Sequence, residues 1–362
     1  MAVFDLVFEG SGVKGFAFFG ALQAFRAAGH THRRLLGVSA GAISATLLAA
    51  GYSPDEMLEI SCEKLPDGNA RFSTFMDVPT PADFTEAQID QSDSMRMLRM
   101  LDIPLMPTWL EEKLVKGFLK MPPYRQLFSF VECGGLFVGD AFLSWMSEKL
   151  KSKGFDNCTL ASFHQKTGVD LTLLSSDTDT NQMRFLNFRT APDLPLVWAV
   201  RMSMSIPFVW REVVWQKEWG LYLKQDLTGN RFVDGGLLSN FPISLLVEQP
   251  KPNSFAEHVM GAVPAGEVGT IGLLVNEKIA IPGQSERGSN VLGELQVLQR
   301  VGRLVDTMTE VRDSAQIKLY ASKVCHLPAR GYGTTDFGLS EERFKVLVEA
   351  ARRAMEAYLK TV

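Results

Sequence analysis

Cysteine and histidine are scarce in this sequence, and neither is grouped. The four cysteines show no Cys-x-x-Cys spacing, and the five histidines show no pairing at metal-ligand spacing. A disulfide framework and a zinc site are therefore not expected, and the sequence predicts no metal and no other cofactor. The scattered thiols are typical of reduced, buried side chains in a cytoplasmic protein. They are Cys62, Cys133, Cys158 and Cys325.

An excess of basic charge and long apolar runs are also lacking. Lys and Arg number 37 against 41 Asp and Glu, a net charge of −4, so no basic surplus is present to hold nucleic-acid phosphates. No uncharged apolar run approaches the roughly 18 residues that cross a bilayer. The N-terminal apolar run contains Asp5 and Glu9 without a basic flank, which argues against a secretory signal peptide. We expect a cytoplasmic protein that has no transmembrane helix.

What is present is an ordinary globular composition, with 46% apolar and 22% charged residues. We expect one domain over residues 1–362. Within it, residues 67–139 lose regular periodicity, because prolines divide short helical segments, and this predicts a cap or insertion. We expect the methionines of that region to pack as core gap-fillers, a lipid-sensing lid being the alternative. Helices are expected to close the chain over 292–362.

The first 50 residues alternate between strand and helix patterns. Val3 to Phe8 is typical of a strand, and an apolar helix from Phe16 to about Ala28 follows a glycine-rich loop. A second strand and a second helix come next. This order predicts a parallel sheet that is covered by helices on both faces.

The second strand and helix are joined by Gly-x-Ser-x-Gly, with Gly37, Ser39 and Gly41. A serine on a sharp turn between strand and helix is the arrangement of a nucleophile elbow. The glycines are needed because a strained turn leaves no room for a Cβ on either side. Ser39 is therefore the candidate nucleophile, lying above the positive end of a helix.

The first loop matches the dinucleotide pattern Gly-x-Gly-x-x-Gly. A dinucleotide site needs an acidic residue at the end of the next strand, and that strand instead ends at Val38-Ser39. Consecutive backbone N–H groups at a helix start can also form an anion-binding nest, and we favour an oxyanion hole here. Its candidate residues are Gly10, Ser11, Gly12, Val13, Lys14 and Gly15.

A third motif is Asp234-Gly235-Gly236, directly after a short strand pattern. Alone, Asp-Gly is typical of a turn. In combination with the elbow and the glycine loop it supplies a carboxylate base. A nucleophile, a donor loop and a base are the parts of an acyl-transfer site.

These three motifs, in this order, resemble the patatin-like phospholipases. Ala199 to Phe208 is similar to the segment that precedes Asp-Gly in that family, and Asn240 and Pro242 follow the motif in a similar way. The similarity covers about residues 4–60 and 170–245. It implies a three-layer α/β/α sandwich with a mostly parallel central sheet and a helical cap insertion. It also implies lipid acyl hydrolysis, of the phospholipase A or esterase type, by a Ser-Asp dyad.

The resemblance assigns Ser39 as nucleophile, Asp234 as base and the backbone N–H groups around the glycine loop as the oxyanion hole. The loop departs from the family at Glu9 and Ser11, where Asp and Gly are usual, while Lys14 stands where the family has Arg or Lys. The implied partner is a phospholipid or other acyl ester. Peripheral contact with a membrane is compatible with that substrate, and nucleic acid is not expected.

Three questions remain open at the level of sequence. The base could belong to a Ser-Asp-His triad, for which only His258 and His326 follow Asp234. The fold could also serve as a lipid-binding module that is non-catalytic or regulated by an effector. Finally, Leu110, Leu114 and Phe118 are expected to supply apolar surface to an acyl-binding groove.

Overall fold

The structure is a computed structural model, and it describes residues 1–100, 108–261, 268–281, 313–334 and 339–362. The strands are Val3–Phe8 (β1), Thr31–Val38 (β2), Gly135–Phe137 (β3), Asp170–Asp177 (β4), Gln182–Leu186 (β5), Phe208–Trp210 (β6), Val213–Val214 (β7), Arg231–Asp234 (β8), Gly269–Asn276 (β9) and Val324–Pro328 (β10).

The helices before the middle of the chain are Phe16–Ala27 (α1), Ala40–Ala49 (α2), Pro54–Ser61 (α3), Glu86–Asp90 (α4), Asp93–Met100 (α5), Thr108–Phe118 (α6), Pro122–Cys133 (α7) and Asp140–Ser152 (α8). They are followed by Leu160–Thr167 (α9), Leu196–Ser203 (α10), Ser244–Val247 (α11), Phe255–Met260 (α12) and Glu341–Tyr358 (α13), and residues 313–319 are also helical.

A central sheet organises these elements. Strands β10, β9, β1, β2 and β4 pair in that order and all run parallel, whereas β5, β7 and β8 join as antiparallel strands. The βαβα opening predicted from the sequence forms the parallel half. Strands β3 and β6 pair separately as a small two-stranded sheet.

Helices cover the sheet on both faces because apolar residues alternate along its strands. On β1, Leu6 and Phe8 belong to the larger apolar cluster, which includes α1, α2 and α13. Val7 points to the opposite face and packs in a second cluster with Phe241 and Val259. The predicted three-layer α/β/α sandwich is confirmed.

The way two strands share one edge of β4 decides where the site lies. On one edge, Leu174 pairs with Val38 of β2, and the next residue, Ser175, pairs with Asp234 of β8. The other edge is occupied by β5, which pairs with the same two residues of β4. Strands β2 and β8 therefore meet end to end, with their carboxyl ends about 3.3 Å apart along β4.

Residues 67–139 and 292–362 are the two segments that the sequence distinguishes from the core. Within residues 67–139, Phe84, Ile89, Val115 and Phe128 form a small apolar cluster that is distinct from the two sheet clusters. In the C-terminal segment, β10 adds an edge strand to the sheet, so the expectation of helices alone over 292–362 is incomplete. Residues 292–312 of that segment lie outside the described residues.

Candidate active site

Ser39 lies on the sharp turn between β2 and α2. Its backbone has φ 54° and ψ −121°, a positive φ that a residue with a Cβ rarely adopts. Such strained conformations persist where the surrounding structure holds them, and they concentrate at functional sites. The side chain is only 6% exposed. Ser39 thus has the backbone of a nucleophile elbow.

The two elbow glycines are required by close approach of the backbone. A Cβ built on Gly37 would lie 2.4 Å from the carbonyl oxygen of Gly41. A Cβ on Gly41 would lie 2.4 Å from the carbonyl oxygen of Phe8, at the end of β1. Neither distance is possible for a side chain, so the turn packs against β1 only with glycine at both positions.

Asp234 ends β8 beside the elbow, as the shared edge of β4 dictates. Its Oδ1 accepts the N–H of Gly236 at 2.7 Å, and Oδ2 has no well-formed hydrogen bond with any described residue. Gly235 is needed here because a Cβ would lie 2.6 Å from the carbonyl oxygen of Leu174. The carboxylate is 4% exposed and keeps one oxygen available next to Ser39.

Burial changes the acid–base behaviour of Asp234. It raises the pKa of the carboxyl group from its ordinary 3.8 to about 7, because the charged form loses its hydration. The side chain of Ser39 and the N–H of Gly236 act in the opposite direction by favouring the carboxylate. A base with a pKa near 7 is suited to proton transfer at neutral pH.

The carboxyl end of α10 and the residues just after it hold both members of this pair. Ser203 Oγ accepts the N–H of Ser39 at 3.1 Å, and the N–H of Asp234 donates to the carbonyl oxygen of Ser205 at 2.8 Å. The sequence showed this segment only as a family resemblance and did not reveal this role. The available signal was a pair of small hydroxyl residues, Ser203 and Ser205, at the end of an apolar helix and just before Ile206-Pro207.

The glycine loop contains a 3-10 helix, Gly12–Gly15, between β1 and α1. The N–H of Gly10 donates to the carbonyl oxygen of Asn240 at 3.1 Å, and the N–H of Val13 donates to that of Thr334 at 3.0 Å. The N–H groups of Ser11 and Gly12 have no acceptor among the described residues. Of the six predicted oxyanion-hole residues, these two therefore have N–H groups available, and Gly10 and Val13 are engaged elsewhere.

Lys14 and Gly15 contribute differently to the loop. Their N–H groups lie within the 3-10 turn, whose hydrogen bonds join its own residues. The ammonium group of Lys14 is buried, forms an ion pair with Glu277 and donates to Thr334 Oγ1 at 2.8 Å. Lys14 thus links the loop to Glu277, just after β9, and to Thr334. The hydroxyl of Ser11 is also buried and has no hydrogen-bond partner among the described residues.

Glu9, the other departure from the family pattern, joins β1 to β9. Its Oε2 accepts the N–H of Val275 at 2.6 Å. Burial raises the pKa of Glu9 to about 8, with the Val275 N–H and the charge of Lys14 acting against the rise. Glu9 therefore links the start of the glycine loop to β9.

A cavity opens beside Ser39 and the loop. Ser39, Ala40, Gly12 and Gly15 form one part of its wall. The remaining wall is dominated by large apolar side chains: Phe16, Phe19, Ile43, Phe72, Phe75, Phe142, Trp145, Met204, Ile206 and Trp210. Its only other polar lining residues in the described part of the chain are Ser44 and Ser61, so the cavity suits an uncharged acyl chain.

Two of the three groove residues expected from the sequence do not line this cavity. Phe118 is 47% exposed and contacts Tyr124, and neither it nor Leu114 lines the cavity. The side chain of Leu110 lies outside the described residues. The 67–139 segment instead reaches the cavity through Phe72 and Phe75. Val115 of α6 packs with Ile89 of α4 and Phe128 of α7, which a periodicity argument could not reveal.

Neither candidate histidine is placed to complete a triad. His326 lies on β10, and β9 and β1 separate it from β2. Its Nδ1 contacts Asn276 Nδ2 at 3.3 Å. His258 is exposed on α12 and its Nδ1 contacts the carbonyl oxygen of Ser254. No histidine lines the cavity within the described ranges.

Comparison with known sequences identifies the family. The profile described as patatin-like phospholipase matches residues 6–247, two thirds of the chain. The chain belongs to this family. Its members are lipid acyl hydrolases in general, and they act on lipid substrates.

Individual proteins that are similar to this chain differ in how much of it they match. YqhO of Bacillus subtilis (strain 168) is 29% identical over 98% of both chains. A probable lipid hydrolase, 463L, of Invertebrate iridescent virus 6 is 18% identical over 67% of this chain and 63% of its own. VipD from Legionella pneumophila has a similar structure with a TM-score of 0.46 and 15% identity; the match covers 99% of this chain and 66% of VipD.

Two further observations concern ions and membranes. Within the described ranges, no group of three His, Cys, Asp or Glu side chains is arranged to hold a metal ion. No helix in this part of the patatin-like chain is both long and apolar enough to cross a bilayer.

The pKa of Asp234 makes stability depend on pH. Because the folded pKa lies near 7 and the ordinary value is 3.8, the protonated side chain favours the folded state fully below pH 3.8, and this contribution is lost as pH rises through about 7. From pH 5 to pH 8, we expect wild type to lose about 2–3 kcal/mol more unfolding free energy than Asp234→Asn. Urea denaturation at each pH measures this difference.

The control for this measurement is Ser39→Ala, which retains the titrating carboxyl group. Because loss of the Ser39 hydroxyl removes a group that lowers the pKa of Asp234, this variant should lose unfolding free energy from pH 5 to pH 8 at least as steeply as wild type. Parallel curves for wild type and Asp234→Asn would show that Asp234 titrates normally in the folded state.

Proposed function

We propose that this chain is a serine acyl hydrolase that cleaves the ester bond of a phospholipid or other acyl ester through Ser39 and Asp234. The observation that carries the proposal is the buried carboxylate of Asp234, whose Oδ2 lacks a well-formed hydrogen bond beside Ser39 on its strained turn. The apolar cavity at the same point supports an acyl chain as the bound group.

The first half of the reaction forms an acyl-enzyme. Ser39 Oγ attacks the ester carbonyl carbon while its proton passes to Asp234 Oδ2. The carbonyl oxygen becomes an oxyanion that accepts hydrogen bonds from the N–H groups of Ser11 and Gly12. The bond to the alcohol then breaks, and Asp234 returns the proton to the departing oxygen.

The second half uses the same groups in reverse. Water attacks the acyl carbon and gives a proton to Asp234, the tetrahedral intermediate collapses, and the proton returns to Ser39 Oγ as the carboxylic acid leaves. The N-terminus of α2 begins at Ala40, directly after Ser39, and its dipole stabilises negative charge that develops there. No histidine is needed, because burial gives the carboxyl group the basicity that an imidazole would supply.

Ser39→Ala is expected to remove labelling by a fluorophosphonate probe and to lower ester hydrolysis by at least about 10³-fold, since the nucleophile is lost. Labelling is followed by mass spectrometry, hydrolysis with p-nitrophenyl esters. His258→Ala and His326→Ala serve as controls and should retain wild-type rates. Unlabelled but folded wild type would favour the non-catalytic lipid-binding module.

The pH profile should report the base. As a base, Asp234 is active when deprotonated, so kcat/KM is expected to rise about tenfold per pH unit below its pKa and to level off above about pH 7. Steady-state kinetics from pH 5 to pH 9 provide the test, after stability has been checked at each pH. A plateau that already extends down to pH 5 would contradict the assignment of Asp234.

Chain-length preference should depend on Phe75. Phe75 is buried in the cavity wall and packs on Phe142 and Trp145, so Phe75→Ala enlarges the acyl site. We expect preference to move toward longer acyl chains, by about fourfold in kcat/KM for each additional buried CH₂. Phe118→Ala, which alters an exposed ring outside the cavity, is the matched control. Equal profiles for the two variants would mean that the aromatic wall does not select chain length.

A further inference from the structure

Asn240 connects the two loops that carry the proposed chemistry. Its Nδ2 donates to the carbonyl oxygen of Gly10 at 2.5 Å, and its own carbonyl oxygen accepts the N–H of Gly10. On the other side, Asn240 Oδ1 lies against Gly236, where a Cβ would be only 2.8 Å away. Asn240 thus contacts both the glycine loop and the loop that follows Asp234.

The turn that carries Asn240 is held by one distant carboxylate. Asp313 Oδ2 accepts the N–H of Asn240 at 2.7 Å and that of Phe241 at 2.9 Å, while Oδ1 accepts the hydroxyl of Ser239 at 2.8 Å. Asp313 is 3% exposed. Hydrogen bonds to a carboxylate are shorter and stronger than neutral ones, and here three consecutive residues each donate one to the same carboxylate.

Asp313 lies outside the part of the chain that matches the family profile. The match ends at residue 247, and 72 to 74 residues separate Asp313 from the turn that it holds. No motif marks Asp313 in the sequence. The contact exists because residues 313–319 pack against the face of the sheet where Phe241 is buried, with Ile317 in the same apolar cluster.

We infer that Asp313 is a positioning residue of the active site: by holding the 239–241 turn it fixes Asn240, and through Asn240 it sets the glycine loop against Ser39 and Asp234. The inference rests on the proposed function for its effect on rate. Reaction rates depend strongly on the geometry of the catalytic groups, since a displacement of about 1 Å can lower a rate by about 10²-fold. Without the carboxylate, two buried N–H groups and a hydroxyl lose their acceptor.

Asp313→Asn tests this role with the smallest change in volume. An amide places an NH₂ group where one carboxylate oxygen accepted hydrogen bonds, so part of the clamp is lost. We expect kcat for p-nitrophenyl esters and the rate of fluorophosphonate labelling to fall about 10- to 100-fold, while KM stays within about twofold. Asp313→Glu, which keeps the charge, should recover part of the rate.

Asp5→Asn is the matched control. Asp5, near the amino end of β1, is also a buried carboxylate and is 1% exposed. It accepts several hydrogen bonds from Arg33 and Arg34 of β2. It lies away from the catalytic loops. This variant should lose thermal stability but keep wild-type kcat and labelling rate.

Hydrogen exchange read by mass spectrometry gives a measurement that does not require turnover. In Asp313→Asn, peptides that contain residues 239–241 and 9–15 should both exchange faster than in wild type, and in Asp5→Asn they should not. If Asp313→Asn does not fold, Ser239→Ala removes one of the three hydrogen bonds and should show a smaller change of the same kind.

The outcomes separate this inference from the proposed function. Wild-type protein that is never labelled at Ser39 would overturn the proposed function, and the exchange of the two loops would still decide whether Asp313 couples them. Unchanged exchange in residues 9–15, or a loss of kcat no greater than that of Asp5→Asn, would overturn the role of Asp313.

Discussion

Strands β2 and β8 approach each other end to end along a single edge of β4, and the site depends on this junction. One residue of β4 pairs with the end of β2 and the next with the end of β8, so Ser39 and Asp234 leave the sheet at the same point. The close packing there excludes water from Asp234. The same geometry thus places the carboxylate and raises its pKa.

A base made by burial has consequences for the rest of the site. A carboxylate without a cationic partner is costly to enclose, and among the described residues Asp234 has only the Gly236 N–H and the neighbouring Ser39 as local compensation. In the proposed mechanism this cost is what makes the group basic enough at neutral pH. The aromatic cavity adds to the exclusion of water, which strengthens hydrogen bonds to a developing oxyanion.

The C-terminal third of the chain is part of this arrangement. Beyond the family match at residue 247, β9 and β10 complete the sheet, Thr334 and Glu277 hold Lys14, and Asp313 holds the turn of Asn240. Thr334 also accepts the N–H of Val13 in the glycine loop. The loop's backbone is therefore held by residues that are far from it in sequence.

Local pattern in the sequence was sufficient for a parallel sheet covered by helices on both faces, for the strand–turn–helix at Ser39 and for the position of Asp234 after a strand, because glycine spacing and strand–helix alternation are properties of short segments. It could not determine which loop N–H groups remain available, since Asn240 and Thr334 approach only in the folded chain. Nor could it choose Phe72 and Phe75 over Leu114 and Phe118 as cavity wall, because both sets are apolar and only packing decides which face meets the cavity. The pKa of Asp234 and the clamp by Asp313 likewise arise from burial and from contacts across the sheet, which tertiary structure alone creates.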